Sequence, residues 1–199
     1  MADRWLIVGL GNPGPEYSHN KHNVGYWCIN RLARAHGVKL KAGTLATVGN
    51  GTINGTPAVL LKPRTYVNKS GDAVSPAIRK WKIDPDHLLV VYDDLDLPAG
   101  RVRIRPHGGD GGYKGLKSII ASLGSRDFPR IRIGIGRPHV DGEPTWDPEH
   151  VADYVLSDPP PQLAKTLQDA VSRAAKAIEM TVAEGLEAAM NYYNRDQAS

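Results

Sequence analysis

Four side chains set the chemistry this sequence can do: Asn12, His22, Asn68 and Asp93. A neutral histidine held by a carboxylate takes a proton from water, because the carboxylate fixes the tautomer and stabilises the imidazolium that forms. An asparagine beside such a pair can donate a hydrogen bond to a carbonyl oxygen as negative charge develops there. That set suits attack of water on an ester or an activated acyl group. A serine nucleophile is not indicated: no Gly-x-Ser-x-Gly occurs, and Ser70 lies in a loop before a helix. Neither His-Glu-x-x-His nor a cysteine pair is present, so zinc spacing is missing as well. Asp93, Asp94 and Asp96 could hold Mg²⁺, but a plain strand end with exposed acids explains Asp94 and Asp96 better.

A second set of residues suits a polyanion. The glycine-rich run Gly108–Gly115 can cradle phosphate through backbone N–H groups. Lys114 and Lys117 add charge to it, and Arg101, Arg103, Arg105, Arg130 and Arg132 supply a cationic face. The guanidinium fork binds two phosphate oxygens at once. Tyr17 and Tyr66 can stack on an unpaired base, with interface packing as their alternative use. Residues 1–137 hold 21 Lys and Arg against 10 Asp and Glu, a balance of +11, whereas residues 138–199 hold 4 against 11, a balance of −7. A basic body with an acidic end region points to a polyanionic partner; a solvated surface is the plain alternative.

The elements that must position these residues follow from periodicity. Trp5-Leu6-Ile7-Val8 reads as a buried strand, and Gly9-Leu10-Gly11-Asn12-Pro13-Gly14 as a sharp turn with Asn12 just past the strand's end. Gly9-x-Gly11-x-x-Gly14 also fits the dinucleotide fingerprint, which needs a helix opening at the third glycine and an acidic residue about 20 positions on. Pro13 and Pro15 flank Gly14, and no Asp or Glu occurs between Tyr17 and Gly71, so the nicotinamide reading is set aside. Asn23–His36 reads as a helix carrying Val24, Trp27, Cys28, Leu32 and Ala35, with Gly37 as its stop. His22 then lies at a helix N-terminus, whose dipole disfavours imidazolium and keeps the imidazole in the form a base needs.

Further along, Thr44–Val48 is a strand with a hairpin at Asn50-Gly51, Asn54-Gly55 offering a second turn. Ala58–Leu61 is a buried strand ended by Pro63, and Tyr66–Gly71 a polar loop. A helix follows to Trp81, with Pro76 in its first turn. His87–Tyr92 is an apolar strand that ends in Asp93-Asp94-Leu95-Asp96-Leu97-Pro98. Arg101–Arg105 and Arg130–Ile133 alternate with period two, and Leu116–Leu123 is a helix. Residues 138–150 read as an irregular, mobile surface loop. Residues 159–161 are a break. Leu163 to about Asn191 is one amphipathic pattern with Leu167, Val171, Ala174, Ile178 and Val182 on a stripe, and Gly185 is placed to kink or divide it. Strands alternating with helices predict a single α/β domain. In such a sheet the loops bearing Asn12, Asn68 and Asp93 can converge on one crevice.

The 199 residues suffice for one domain with a full core. Cys28 is the sole cysteine, so no internal disulfide forms, which suits a reducing compartment; its apolar neighbours at helical spacing make it core rather than nucleophile. No apolar run approaches a membrane span, and Met1-Ala2-Asp3-Arg4 lacks a signal-peptide layout. A cytoplasmic protein is the expectation.

Several of these motifs, in this order, resemble the bacterial-type peptidyl-tRNA hydrolases. The resemblance rests on Gly9-Leu10-Gly11-Asn12-Pro13-Gly14, Tyr17, His22-Asn23-Val24-Gly25, Asn68-Lys69-Ser70-Gly71, Asp93-Asp94-Leu95-Asp96-Leu97-Pro98, Gly115-Leu116-Lys117 and Arg132-Ile133-Gly134-Ile135-Gly136. It implies hydrolysis of the ester joining a peptide to the terminal ribose of tRNA, and a monomer with a mixed β-sheet flanked by helices, a mobile lid over residues 138–150 and a C-terminal helical segment over 160–194. It also implies no metal or organic cofactor and contacts to the acceptor stem and 3′ CCA end. By the same resemblance His22 is the proton acceptor, Asp93 holds it in its basic form, and Asn12 tells a blocked aminoacyl group from a free one. Tyr17, Tyr66, Asn68 and Asn23 fall at positions around the tRNA 3′ end, and Arg105 and Arg132 at positions facing its phosphates. The family usually carries His-Asn where this chain has Tyr113-Lys114. That asparagine helps bind substrate and orient water, so Lys114 is expected to alter KM more readily than the chemistry. The same substitution leaves room for a non-catalytic, splicing-factor-like RNA-binding protein on this scaffold.

Overall fold

Strands and helices alternate along the chain in the computed structural model, which describes residues 4–195. In order they are β1 (Trp5–Gly9), α1 (Val24–Ala35), β2 (Lys41–Ala42), β3 (Ala46–Ile53), β4 (Thr56–Pro63), α2 (Ser70–Trp81), β5 (Leu88–Asp94), β6 (Val102–Arg105), α3 (Lys114–Leu123), β7 (Arg130–Gly134), β8 (His139–Val140), β9 (Glu143–Pro144), α4 (Pro148–Val155), α5 (Pro161–Glu184) and α6 (Leu186–Tyr193). Residues Met1–Asp3, on which the reading of the N-terminal segment rests, lie outside the described residues, as do 196–199.

The apolar runs form the middle of a seven-stranded mixed sheet of order β2-β3-β4-β1-β5-β7-β6. β4, β1, β5 and β7 run parallel, and β2, β3 and β6 are antiparallel additions toward the edges. Central strands of this kind are buried on both faces, which is why they read as continuous rather than alternating apolar sequence. Period two still sorts their side chains. Ile7, Leu60, Leu89 and Val91 pack with α1, α5 and α6, whereas Leu6, Val8, Val59, Leu61, Leu88 and Val90 pack with α2 and α3. The stripe Leu167, Val171, Ala174, Ile178 and Val182 of α5 is buried throughout. Gly185, at φ 95°, divides the C-terminal pattern into α5 and α6. Cys28 is fully buried among apolar residues, which pushes its thiol up to about 12. No helix among the described residues is long and apolar enough to cross a membrane.

Three local expectations are corrected. The hairpin turns at Asn54-Gly55, not Asn50-Gly51, because both turn residues take positive φ there and β3 runs unbroken to Ile53. Pro76 sits inside α2 rather than in its first turn, because the helix already opens at Ser70, within the stretch read as loop. Residues 138–150 are not irregular: β8 and β9 form a hairpin about Asp141-Gly142, and α4 starts at Pro148. The Asp147 side chain caps α4, accepting from the N–H groups of Glu149 and His150.

Helix α1 lies unusually close to the sheet. A Cβ on Gly9 would run into the Gly25 carbonyl oxygen, and one on Gly25 would come within 2.5–2.6 Å of the Leu10 backbone and 2.6 Å of the Val91 oxygen. Glycine in a helix normally costs about 1 kcal/mol relative to alanine. Here the sign reverses: Gly25→Ala should lower the free energy of unfolding by at least ~2 kcal/mol, the scale of overpacking in a tight core. Urea denaturation measures it, and an unchanged or raised midpoint refutes the close approach.

Candidate active site

β1 and β5 are neighbours with Gly9 opposite Val91, so the turn after β1 and the residue Asp93 lie side by side at the carboxyl ends of two parallel strands. This is where open α/β sheets build sites. α1, seated on both strands, begins from a 3-10 turn at Lys21–Asn23 that carries His22 over the same edge. His22 Nδ1 is 2.9 Å from Asp93 Oδ2 and 3.0 Å from Oδ1. Asp93 is only 2% exposed. With the carboxylate as acceptor, Nδ1 carries the proton and donates it, which leaves the Nε2 lone pair without a protein partner among the described residues. Burial alone would favour the neutral imidazole. The Asp93 charge and hydrogen bond outweigh it, against a smaller repulsion from Lys114, so the imidazole pKa ends above its ordinary 6.5. The helix-dipole expectation of an easily deprotonated His22 is thereby corrected: a carboxylate in direct contact is stronger than the end of a helix.

Three hydrogen bonds from two residues hold Asn12. Its Oδ1 accepts from the Val67 N–H (2.9 Å), which assigns the amide orientation. The Asn23 side chain clasps its main chain, accepting from Asn12 N–H (2.8 Å) and donating to Asn12 O (2.9 Å). The Asn12 Nδ2 donor takes no protein acceptor among the described residues, and Asn12 is one of the residues lining the cleft. Asn23 itself, read as a substrate contact, is buried and committed to Asn12, outside the cleft lining.

The cleft occupies about 1160 Å³, larger than a pocket for one small ligand. Asn12, His22 and Asp93 stand together in its wall, with Tyr17, Tyr66, Asn68, Lys114, Arg105 and Arg132 around them. Tyr66 is 61% exposed and Asn68 is exposed, free to meet a ligand. The predicted cationic face is not uniform. Arg103 donates to the Asn194 carbonyl. Arg130 is 2% exposed and donates to the carbonyls of Gly109, Arg126 and Phe128, bracing the glycine loop. Arg132 gives its Nε to Asp94 at 2.6 Å. Arg105 is the one arginine of the five left exposed. The acids are likewise separated: Asp94 pairs with Arg132, Asp96 with Arg137, and Asp93 with His22. The dinucleotide reading fails on geometry as well, since Gly14 opens only a 3-10 turn at Pro15–Tyr17.

Two contacts escaped sequence reasoning. Tyr113 Oη donates to Asp93 Oδ1 at 2.8 Å. Lys21, 2% exposed, donates to the carbonyls of Tyr154 and Ser157 and to the Ser157 hydroxyl, with its ammonium 4.3 Å from the centre of the Tyr154 ring. It thereby ties the end of α4 to the turn that carries His22. Burial lowers its pKa, opposed by Asp158. Neither contact has a local signal, because each joins residues far apart in sequence. The hairpin and α4 did have one, in Asp141-Gly142 and Asp147-Pro148.

Comparison with known proteins bears on the chain as a whole. The family model described as peptidyl-tRNA hydrolase matches residues 6–199. The peptidyl-tRNA hydrolase of Syntrophomonas wolfei is 48% identical over 190 residues, spanning 95% of this chain and 99% of that protein. That of Chloroflexus aggregans is 46% identical over 193 residues, 96% of this chain and 98% of that protein. The crystal structure of the Acinetobacter baumannii peptidyl-tRNA hydrolase superposes with a TM-score of 0.88 at 36% identity, covering 98% of this chain and 96% of that one.

The raised His22 pKa carries a stability signature. A histidine whose folded pKa lies above its unfolded value contributes fully below the unfolded pKa, near 6.5, and loses that contribution as pH rises through the folded pKa. The stability difference between the wild type and His22→Gln, from urea melts, should be largest below pH 6.5 and shrink to a plateau above the folded pKa. A difference that grows with pH places the folded pKa below 6.5 instead.

Proposed function

Starting from a chain that belongs to the peptidyl-tRNA hydrolase family and hydrolyses peptidyl-tRNA, we propose that His22 is the general base of the reaction, oriented by Asp93, and that Asn12 binds the acyl group. The observation that carries this reading is the His22–Asp93 pair in the lining of a large cleft that Asn12 also lines, with Asn12 Nδ2 taking no protein acceptor among the described residues. His22 Nε2 takes a proton from water as the water oxygen attacks the ester carbonyl. Asn12 Nδ2 donates to the carbonyl oxygen while negative charge builds on it. Collapse breaks the bond to the ribose 3′ oxygen, which takes the proton held by His22; the peptide acid so formed gives its remaining proton to solvent and leaves as the carboxylate. The His–Asp geometry speaks for this enzyme and against a purely RNA-binding protein, since phosphate contacts alone have no use for a base.

The remaining assignments follow the cleft. Tyr66 and Tyr17 stack on the bases of the 3′ CCA end and Asn68 hydrogen-bonds there. Arg105 and, through its free Nη groups, Arg132 meet acceptor-stem phosphates. Lys114, a flexible point charge, meets a phosphate or the acyl carbonyl. Asn23 acts only through Asn12. The hairpin and α4 form the lid, with Val151, Ala152, Val155 and Leu156 of that segment facing the cleft. One copy of the whole chain, a single domain, suffices for this work, and the cytoplasm is its setting.

Three outcomes are expected. N-acetyl-aminoacyl-tRNA should be cleaved while unblocked aminoacyl-tRNA, with a cationic amine where Asn12 expects a neutral amide, is a poor substrate. His22→Ala should lower kcat by roughly 10²-fold or more, the scale of a lost general base, and leave tRNA binding intact; near-normal turnover removes His22 from the role. Arg105→Ala should weaken tRNA binding and reduce the slope of log K against log salt by about one unit, as expected for one phosphate contact. Fluorescence titration across salt concentrations reads that slope, and an unchanged slope takes Arg105 out of the interface.

A further inference from the structure

We propose that Tyr113 is a positioning residue of the hydrolytic centre, its hydroxyl holding the Asp93 carboxylate in the orientation that receives His22 and drawing off part of the charge that the imidazole feels. This rests on the reading of His22 as the base. Among the described residues, the Asp93 side chain accepts from two donors only: His22 Nδ1, at 2.9 and 3.0 Å, and Tyr113 Oη, at 2.8 Å to Oδ1. A carboxylate held at one point can still turn about its Cβ–Cγ bond. Held by two donors from different elements, it keeps its plane toward the imidazole.

Tyr113 is itself held. It is the residue before α3, with its N–H donated to Asp110 O (2.8 Å) and its carbonyl accepting from Lys117 N–H (3.0 Å). Its ring packs 4.8 Å from that of Tyr92 and 5.4 Å from that of His22. It presses on Gly115 so closely that a Cβ there would meet the ring at 2.8 Å. Burial and the charge of Asp93 keep the phenol protonated well past its ordinary range, so it remains a donor.

The other titratable groups about the pair cannot substitute for this hydroxyl. Asp94 of β5 is paired with the Nε of Arg132 from β7. Arg130 braces the glycine loop. Tyr26 of α1 donates to the Pro63 carbonyl. Tyr92 packs against Tyr113 through its ring. Lys114 of α3 acts on His22 by charge and not on Asp93 by a hydrogen bond. A hydroxyl that donates to the carboxylate competes with the imidazolium for the same negative charge. Its removal therefore stabilises imidazolium and costs turnover at neutral pH on two counts: less neutral base and a looser carboxylate.

The test is Tyr113→Phe, which keeps the ring, paired with 3-fluorotyrosine installed at position 113, whose more acidic phenol donates more strongly. In Tyr113→Phe, kcat on N-acetyl-aminoacyl-tRNA should fall by about tenfold, the scale seen when outer-shell partners are removed, with KM unchanged. The acid limb of the kcat profile should move up by roughly half a pH unit, and the fluorotyrosine protein should move it down. The His22 imidazole is titrated by NMR in all three proteins, its signals assigned with His22→Ala; this reading needs no turnover. Thermal melting and tRNA binding report whether each variant folds. An unshifted His22 titration in folded Tyr113→Phe, or a downward one, overturns the proposal whatever the activity. A shifted titration with turnover indifferent to His22→Ala upholds the coupling and removes the assignment of the base instead.

Discussion

The backbone of α1 rests directly on the backbone of β1 and β5, and the rest of the site depends on that contact. Gly9 and Gly25 leave no side chain between helix and sheet, so the turn that opens α1 carries His22 within hydrogen-bond reach of a carboxylate at the end of the next strand. One added methyl group would lift the helix off its seat. Hydrogen bonds between histidine and aspartate weaken steeply with distance and angle. Two glycines, Gly9 and Gly25, therefore keep His22 and Asp93 together.

Around this pair the charges are sorted by burial. Asp93 is deep enough that its charge acts strongly on whatever touches it, and it touches an imidazole and a phenol. Asp94 and Asp96 have each taken an arginine. Arg130 has vanished into the protein to hold the carbonyls of the glycine loop. Of the acids and alternating arginines that look on paper like a metal site and a cationic surface, several are in the fold committed to partners within the protein. Arg105 and Lys114 remain exposed along the cleft, and charge left exposed is what a polyanion can use.

The segment after β7 shows the same economy. Its hairpin and α4 have local reasons to form, in a turn at Asp141-Gly142 and a capping Asp147. Its attachment is tertiary: Lys21, one residue before His22, takes the carbonyls at the end of α4, where the helix dipole favours a cation. The helix that lines the cleft and the turn that bears His22 thus share one buried ammonium.

What the sequence by itself determined was much of what depends on residues near one another along the chain. The apolar runs of β1, β4 and β5, the helical spacing of α1 and α5, the break at Gly185 and the placing of Asn12 and Asn68 in turns after strands follow from local periodicity, and the ordered motifs carried the family. Asp93, expected just past a strand, lies within β5, which pairing with β7 carries on to Asp94. Where two turns competed, at Asn50-Gly51 and Asn54-Gly55, local chemistry was degenerate, and only pairing of β3 with β4 along its whole length decided. Burial was legible for apolar residues, whose hydrophobicity announces it, and illegible for Arg130, Lys21 and Asn23, whose burial depends on distant carbonyls and amides that satisfy them. The candidate His22 could be read; the direction of its pKa could not, because that is set by Asp93 pressed against it. Electrostatic contact is short-ranged in space and indifferent to separation along the chain, so the tertiary structure alone could decide it.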